Sequence, residues 1–333
     1  MPELPEVHTT VTGLSKTIVG CRIVDMWTNY NSLYFKGSKT IKDPAYFKHF
    51  RKEVIGKKIV SVSRRAKNIL INLESGQTIL IHMKMTGHIM IGRYVFNAKN
   101  KKDPWTPVLD ERKALHDPFN RFIRFVITLS DSNGKKAIIK HLVLSDMRKF
   151  AKVTLIENDS IAQENNDHLG DLGPEPLEPG FTFSVFKEQL LKKPAGKIKT
   201  VLMDQTIISG VGNIYSDEAL WRAGIHPEER VENISDSLLK KIYGAVQKVL
   251  NHGIDFGGDS MSDYRNVDGE RGKFQEQHQA YRKTGQKCSF KIGTGRTAKK
   301  CPGIILRKKV GGRSAHFCSV HQKLKVHQKL GTH

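Results

Sequence analysis

The chain has 333 residues, with 55 Lys+Arg against 33 Asp+Glu, a formal net charge of +22 and 38% hydrophobic residues. That length exceeds what one small core organises and calls for at least two domains. The positive excess points to a polyanionic partner, nucleic acid before membrane, because such a field draws phosphate backbones at long range. No apolar run reaches spanning length and the first twenty residues carry no signal-peptide pattern, so the expectation is a soluble intracellular protein without a membrane partner. Three of the four cysteines fall between 288 and 318, which favours a metal site in a reducing compartment over a disulfide framework.

The chain opens Met1-Pro2-Glu3-Leu4-Pro5-Glu6-Val7. Removal of Met1 would leave a proline with a carboxylate beside it. An α-amino group titrates near roughly 7.7 to 8.0, so part of it is unprotonated at neutral pH, and a secondary amine condenses with an aldehyde to a charged iminium that acts as an electron sink. Glu3 stands ready to move the protons that such covalent chemistry needs. The segment also reads as a plain helix start, since Pro5 suits a first helical turn. Residues 5–19 form the first expected helix, with Val7, Val11, Leu14 and Ile18 on one face and Gly20 as the stop.

Strand-like runs follow at 69–73, 79–83, 122–129 and 138–144, with turns at Glu74-Ser75-Gly76 and Asp131-Ser132-Asn133-Gly134, so this half reads as packed β-sheets. Residues 97–118, with Pro104, Pro107 and Pro118, read as a long polar loop. Arg64-Arg65-Ala66-Lys67 precedes one strand and Asp146-Met147-Arg148-Lys149-Phe150 follows another. The second places an arginine and an aromatic two residues apart, the pair needed to enter a base stack and fill a vacated position.

The segment 172–180 holds three prolines and two glycines and reads as the interdomain linker. Ile208-Ser209-Gly210-Val211-Gly212-Asn213-Ile214-Tyr215 is a glycine-rich turn opening onto a helix, where backbone N–H groups and Asn213 would hold a phosphate, with Lys197 and Lys199 upstream. A helix is expected over Ser235–Asn251, with Leu238, Ile242, Val246, Val249 and Leu250 on one face and Gly253 after its end. Helical structure is expected to continue to about residue 285.

The stretch from Cys288 on is too polar to own a large core, and a bound metal would supply stability. Cys288, Cys301, Cys318 and His321 have twelve, sixteen and two residues between successive members. Thiolates with an imidazole suit tetrahedral zinc. Only Cys318 and His321 have tight ligand spacing, and His327 is a substitute for the fourth ligand. Between the last two thiols, Gly311-Gly312-Arg313 suits a hairpin tip that brings a guanidinium to a backbone phosphate.

Taken together, several stretches resemble the formamidopyrimidine-DNA glycosylase and endonuclease VIII family of base-excision repair enzymes, nearly end to end. They are Pro2 to Val7, Arg65-Ala66-Lys67, His82 to Gly87, Leu172 to Leu177, Met203-Asp204-Gln205 with Gly210 to Tyr215, Gly257-Gly258 through Gly269, and Gly311 to Ser314. The resemblance implies an α+β multidomain fold: an N-terminal β-sandwich with a leading helix, then a helix-two-turn-helix domain ending in a zinc-finger β-hairpin, with DNA in the cleft between. The corresponding division is a catalytic sandwich at 1–160, a linker at 161–180, a helical DNA-binding domain at 181–285, the finger at 286–322 and a basic tail at 323–333.

It further implies Pro2 as nucleophile at the damaged nucleotide, Glu3 as general acid/base, Glu6 as a supporting carboxylate, and Glu175 in the linker near the active site. Lys67, Lys199, Asn213 and Arg313 would hold phosphates, Lys67 and Arg313 counting also as catalytic. Met85, Arg148 and Phe150 would fill the gap left by an extruded base. Leu4 and that set match the formamidopyrimidine branch, which prefers oxidised purines, over the endonuclease VIII branch, which usually has glycine at position 4. The implied activity is a monomeric bifunctional glycosylase/lyase on double-stranded DNA containing oxidised bases or abasic sites, with one structural zinc. An oxidised-pyrimidine enzyme and a catalytically silent nucleic-acid binder on the same scaffold are the alternatives. The sequence departs from the family in its spread first cysteine pair, in His321 as fourth ligand, in Met147 and Ala151 around the intercalating arginine, in the 97–118 insertion and in the tail after 322.

Overall fold

A computed structural model describes residues 1–131, 138–157, 169–261, 263–293 and 297–324. Most of the turn expected at 131–134, the first part of the expected linker, most of the basic tail and the substitute ligand His327 lie outside the described residues. Two compact units emerge, Met1–Gly170 with Gly253–Gln275, and Asp171–His252 with Glu276–His333.

In the first unit, helix α1 (Leu4–Ile18) forms as the periodicity predicts. Glu6, its third residue, accepts the Glu3 N–H at 2.7 Å, satisfying one of the orphan donors at a helix start. Val7, Leu14 and Ile18 are fully buried, and Val11 packs at the core's edge. Strands β1 (Arg22–Thr28), β8 (Ile123–Asp131), β9 (Ile138–Ser145) and β5 (His88–Gly92) form one antiparallel sheet in that order. The other runs β10 (Lys152–Glu157), β4 (Gln77–His82), β3 (Asn68–Leu73), β2 (Ile59–Arg65).

Alternate residues make the shared core: Ile69, Ile71, Ile79 and Ile81 from one sheet, Phe125, Ile127, Leu142 and Leu144 from the other. Side chains two apart point to one face, and each such burial contributes about 1.5–3 kcal/mol. Helix α2 (Pro44–Val54) adds Phe50 and Val54.

Residues 97–118 carry more order than the loop expected. Strand β6 (Tyr94–Phe96) pairs with β7 (Trp105–Pro107), and 3-10 turns follow at Lys113–His116 and Pro118–Asn120. Trp105 and Leu115 cover the outer face of the first sheet, against Met90, Val126 and Val143. Trp105 and Leu115, ten residues apart in a polar stretch, give no periodicity, which is why the sequence reads as loop.

The second unit holds α3 (Phe183–Leu191), α4 (Ile198–Leu202), α5 (Asn213–Ala223) and most of α6 (Asp236–Asp255). Helix α6 passes through Gly253, the expected stop. It ends at Asp255, and Gly257 just beyond has a φ of 69°, the left-handed conformation common after a helix terminus. Beyond Asp255 the helical reading fails: apart from a 3-10 turn at Phe274–Glu276, the described residues to 285 are irregular. Glycines 257, 258 and 269 all take positive φ there and break any helix. Two hairpins follow, β11 (Lys291–Ile292) with β12 (Lys299–Lys300), and β13 (Ile305–Val310) with β14 (Arg313–Cys318). No helix among the described residues is long and apolar enough to cross a membrane.

Candidate functional site

Pro2, Glu3 and Glu6 converge at the start of α1. Pro2 is buried while Met1 is 44% exposed. The Glu6 carboxylate is clamped from two directions, one oxygen taking the Glu3 N–H and the other the Asp259 N–H at 2.7 Å. Gly258 makes that approach possible: its φ is +85°, and a Cβ there would stand 2.9 Å from Glu6 Cγ. Lys67 occupies the two-residue turn between β2 and β3, beside Ala66 at φ 53°. The Lys84 and Lys67 charges, after burial itself, hold the His82 imidazole at about 3, so it stays neutral.

Met85, Arg148 and Phe150 come together on the same unit's surface. Arg148 Nη1 lies 3.2 Å from Met85 Sδ, and its guanidinium stands 4.4 Å over the Phe150 ring. Met85 and Phe150 remain 37% and 46% exposed, so a guanidinium, a thioether and a ring project as one wedge. Asp146 fastens the wedge from below. It is fully buried and accepts from Tyr30 Oη at 2.8 Å, Thr86 Oγ1 at 2.6 Å and the Ala151 N–H at 2.8 Å. Thr86 Oγ1 in turn accepts the Arg148 N–H at 3.1 Å, and Lys42 Nζ donates to the Lys149 carbonyl at 2.8 Å.

In the second unit, Asn213 is the first residue of α5 and Arg313 follows the two-residue turn Gly311-Gly312, both at positive φ, between β13 and β14. Both line one concavity of about 650 Å³, with Arg282, Arg307 and His316. An eleven-residue helix start with converging guanidiniums is an anion cradle. Lys199 is not in that wall. It is fully buried, donating to Asp217 Oδ1 at 2.5 Å and to Ser216 Oγ at 3.2 Å, while the other Asp217 oxygen takes the His316 N–H at 3.0 Å. The pair ties α4 and α5 to the hairpin that carries Arg313. Glu218, also buried, accepts the N–H groups of Gln279, Ala280 and Tyr281 at 2.9, 3.0 and 2.8 Å and so shapes the segment leading to Arg282. Burial pushes its carboxyl up, against His278 and those three bonds. Glu175 is buried in this unit at 6% exposure.

The four metal candidates converge despite their uneven spacing: the ligand atoms of Cys288, Cys301, Cys318 and His321 all lie within 4.8 Å of one another. Cys288 Sγ is 3.4 Å from His321 Nδ1, and Cys301 Sγ is 3.5 Å from Cys318 Sγ, separations that suit four donors around one tetrahedral ion. His321 Nε2 lies 3.0 Å from the Trp221 carbonyl. A carbonyl only accepts, so Nε2 carries the proton and Nδ1 presents its lone pair to the thiols. Backbone N–H groups of Phe290, Gly303 and Val320 point at the three sulfurs at 3.4, 3.4 and 3.3 Å, as thiolates require.

The family model for the formamidopyrimidine-DNA glycosylase N-terminal domain matches residues 1–153, and that for the H2TH domain of the same enzymes matches residues 172–265. The formamidopyrimidine-DNA glycosylase of Bacillus subtilis is 34% identical over 98% of this chain and 100% of its own, and that of Pelotomaculum thermopropionicum is 34% identical over 98% and 100%. The chain belongs to the formamidopyrimidine-DNA glycosylase family. Its fold agrees: the Lactococcus lactis Fpg in complex with abasic-site-containing DNA matches at TM-score 0.73 and 30% identity, covering 96% of this chain and 99% of that one. Within this glycosylase, sequence reasoning missed Asp146, Asp217, Glu218 and His316. Asp146 heads the run that carries Arg148, yet an acid in a basic loop reads as solvated. The other three are silent until the fold brings α5 against β14.

Proposed function

We propose that this chain is a bifunctional glycosylase and abasic-site lyase that removes oxidised purines, 8-oxoguanine and formamidopyrimidines, from double-stranded DNA, acting as an intracellular monomer. The observation that carries the reading is the wedge of Met85, Arg148 and Phe150 on a backbone anchored by Asp146, on the same unit as the Pro2-Glu3 terminus. A base extruded for chemistry leaves a gap that costs a few kcal/mol to open, and an exposed guanidinium over an aromatic ring fills it.

With Met1 removed, the Pro2 nitrogen lone pair forms a bond to C1′ as the C1′–base bond breaks, the electron pair leaving with the base, which takes up a proton. Loss of the nitrogen's proton and opening of the sugar, with Glu3 delivering a proton to O4′, gives the iminium. The iminium then accepts the electrons released when a proton leaves C2′, which expels the 3′ phosphate. A second elimination expels the 5′ phosphate, and water releases Pro2. Glu6, fixed by two N–H donors, holds the terminus in register. Asn213, Arg313 and Lys67 hold phosphates, Lys199 positions the Asn213 helix and the Arg313 hairpin, and Glu175 serves from the second unit. Cys288, Cys301, Cys318 and His321 hold one structural zinc, which stabilises the hairpin presenting Arg313.

Single-lesion duplexes at matched salt test the reading. Cleavage of 8-oxoguanine or formamidopyrimidine opposite cytosine is expected to exceed that of oxidised pyrimidines. The reverse order would place the enzyme with the endonuclease VIII branch, and binding without any cleavage would make it a silent binder.

A further inference from the structure

A second concavity, in the first unit, adjoins the wedge and takes no part in the chemistry above. Its volume is about 730 Å³, and Met85 and Phe150 form one side of it. Every ionisable side chain in its wall is a lysine: Lys39, Lys42, Lys84 and Lys152. Four cations around an apolar floor repel one another and focus a positive potential on whatever enters.

Lys42 is the most deeply set, 7% exposed, with its Nζ bonded to the Lys149 carbonyl at 2.8 Å and 4.8 Å over the Phe35 ring. Burial holds its ammonium below the ordinary lysine range, Asp146 opposing and Lys84 adding to that effect. Thr40 lines the same wall at 6% exposure, and its Oγ1 has no hydrogen-bond partner among the described residues. A buried hydroxyl without a partner is costly, and a ligand oxygen would satisfy it. Cationic groups, a waiting donor and an apolar floor together fit a phosphodiester with its sugar.

The position says which one. Met85 and Phe150 belong both to this wall and to the wedge, so a strand facing the wedge runs past the mouth of the cavity. We infer that the cavity is a backbone subsite for the DNA strand opposite the lesion, seating one phosphate among Thr40, Lys39, Lys42 and Lys84, with the adjoining sugar against Phe35. The inference rests on the wedge reading of Met85, Arg148 and Phe150 in the proposed function.

The experiment measures affinity for a duplex carrying a tetrahydrofuran abasic analogue opposite cytosine, as a function of salt, for the full chain and for Lys39→Gln/Lys84→Gln. The double variant is expected to lower the slope of log K against log[salt] by about 0.9, the value for one phosphate. Thr40→Val, which keeps the shape and removes the hydroxyl, is expected to weaken binding about 5-fold. In the parent, a single methylphosphonate in the strand opposite the lesion is expected to reproduce the slope change, and in the double variant to add nothing.

An unchanged slope in the variant overturns the subsite, as does a methylphosphonate effect confined to the lesion strand or sensitivity only to free inorganic phosphate. Failure of the parent to prefer the lesion duplex over undamaged DNA overturns the wedge reading and the subsite with it. An unchanged slope beside normal lesion preference overturns the subsite alone.

Discussion

Because Asp146 takes three hydrogen bonds in a fully buried position, Arg148 starts from a fixed backbone and only its side chain remains to be placed. On the proposed reading, its guanidinium is the group that would meet an unpaired cytosine. Arg148→Ala is expected to remove most of the preference for 8-oxoguanine opposite cytosine over adenine, while leaving the nicking of a preformed abasic site intact, as read by single-turnover cleavage of the two duplexes. His88 gives a residue-scale test of the fold. It is 1% exposed, 3.0 Å from Asn120 Oδ1, and burial, against that bond, lowers its pKa from 6.5 to about 4. Between those values the unfolded chain binds a proton that the folded chain refuses. The stability contribution is therefore fully present above about pH 6.5 and is lost as pH falls toward 4, on the order of 3 kcal/mol. Urea midpoints at pH 7.5 and pH 5 sample most of the loss, and His88→Gln is expected to reduce the difference by the His88 share, leaving that of His82, whose pKa is lowered to about 3.

At the scale of elements, the β13–β14 hairpin depends on chemistry at its base. Cys301 and Cys318 with Cys288 and His321 fix that base, and α5 holds its flank through Asp217. One zinc per chain is expected by elemental analysis, and strong chelation is expected to weaken DNA binding by releasing Arg313 together with the hairpin. His321→Ala is expected to lose zinc. Unchanged zinc content would move the fourth ligand elsewhere.

The convergence of the four candidate ligands was only partly legible: cysteine and histidine have few other reasons to cluster, but the twelve-residue gap after Cys288 hid how closely they meet. Helix α1 and strands β3, β4, β8 and β9 were legible because one face of each is buried, and period 3.6 or 2 survives in the sequence. Helix α6 overran Gly253 because a glycine inside a helix costs only about 1 kcal/mol, which packing of Leu239, Ile242, Val246 and Leu250 outweighs. The path from 256 to 285 and the β6–β7 hairpin were not legible, since both are held by isolated contacts such as Glu218 with the 279–281 backbone and Trp105 with Trp27. Lys199 read as a phosphate-holding cation for a similar reason: only the fold supplies Asp217.

For the molecule as a whole, the net charge of +22 explains attraction to DNA but not chemistry, since a silent binder would carry the same field. What separates an enzyme from such a binder is the terminus that Glu6 clamps. Borohydride trapping on an abasic-site duplex tests this most directly, with mass spectrometry checking that the purified chain has lost Met1. The parent is expected to form a covalent protein–DNA adduct through Pro2, and Pro2→Thr or a chain retaining one extra N-terminal residue is expected to form almost none. Equal trapping by those two forms and the parent would contradict the assignment of Pro2 as nucleophile.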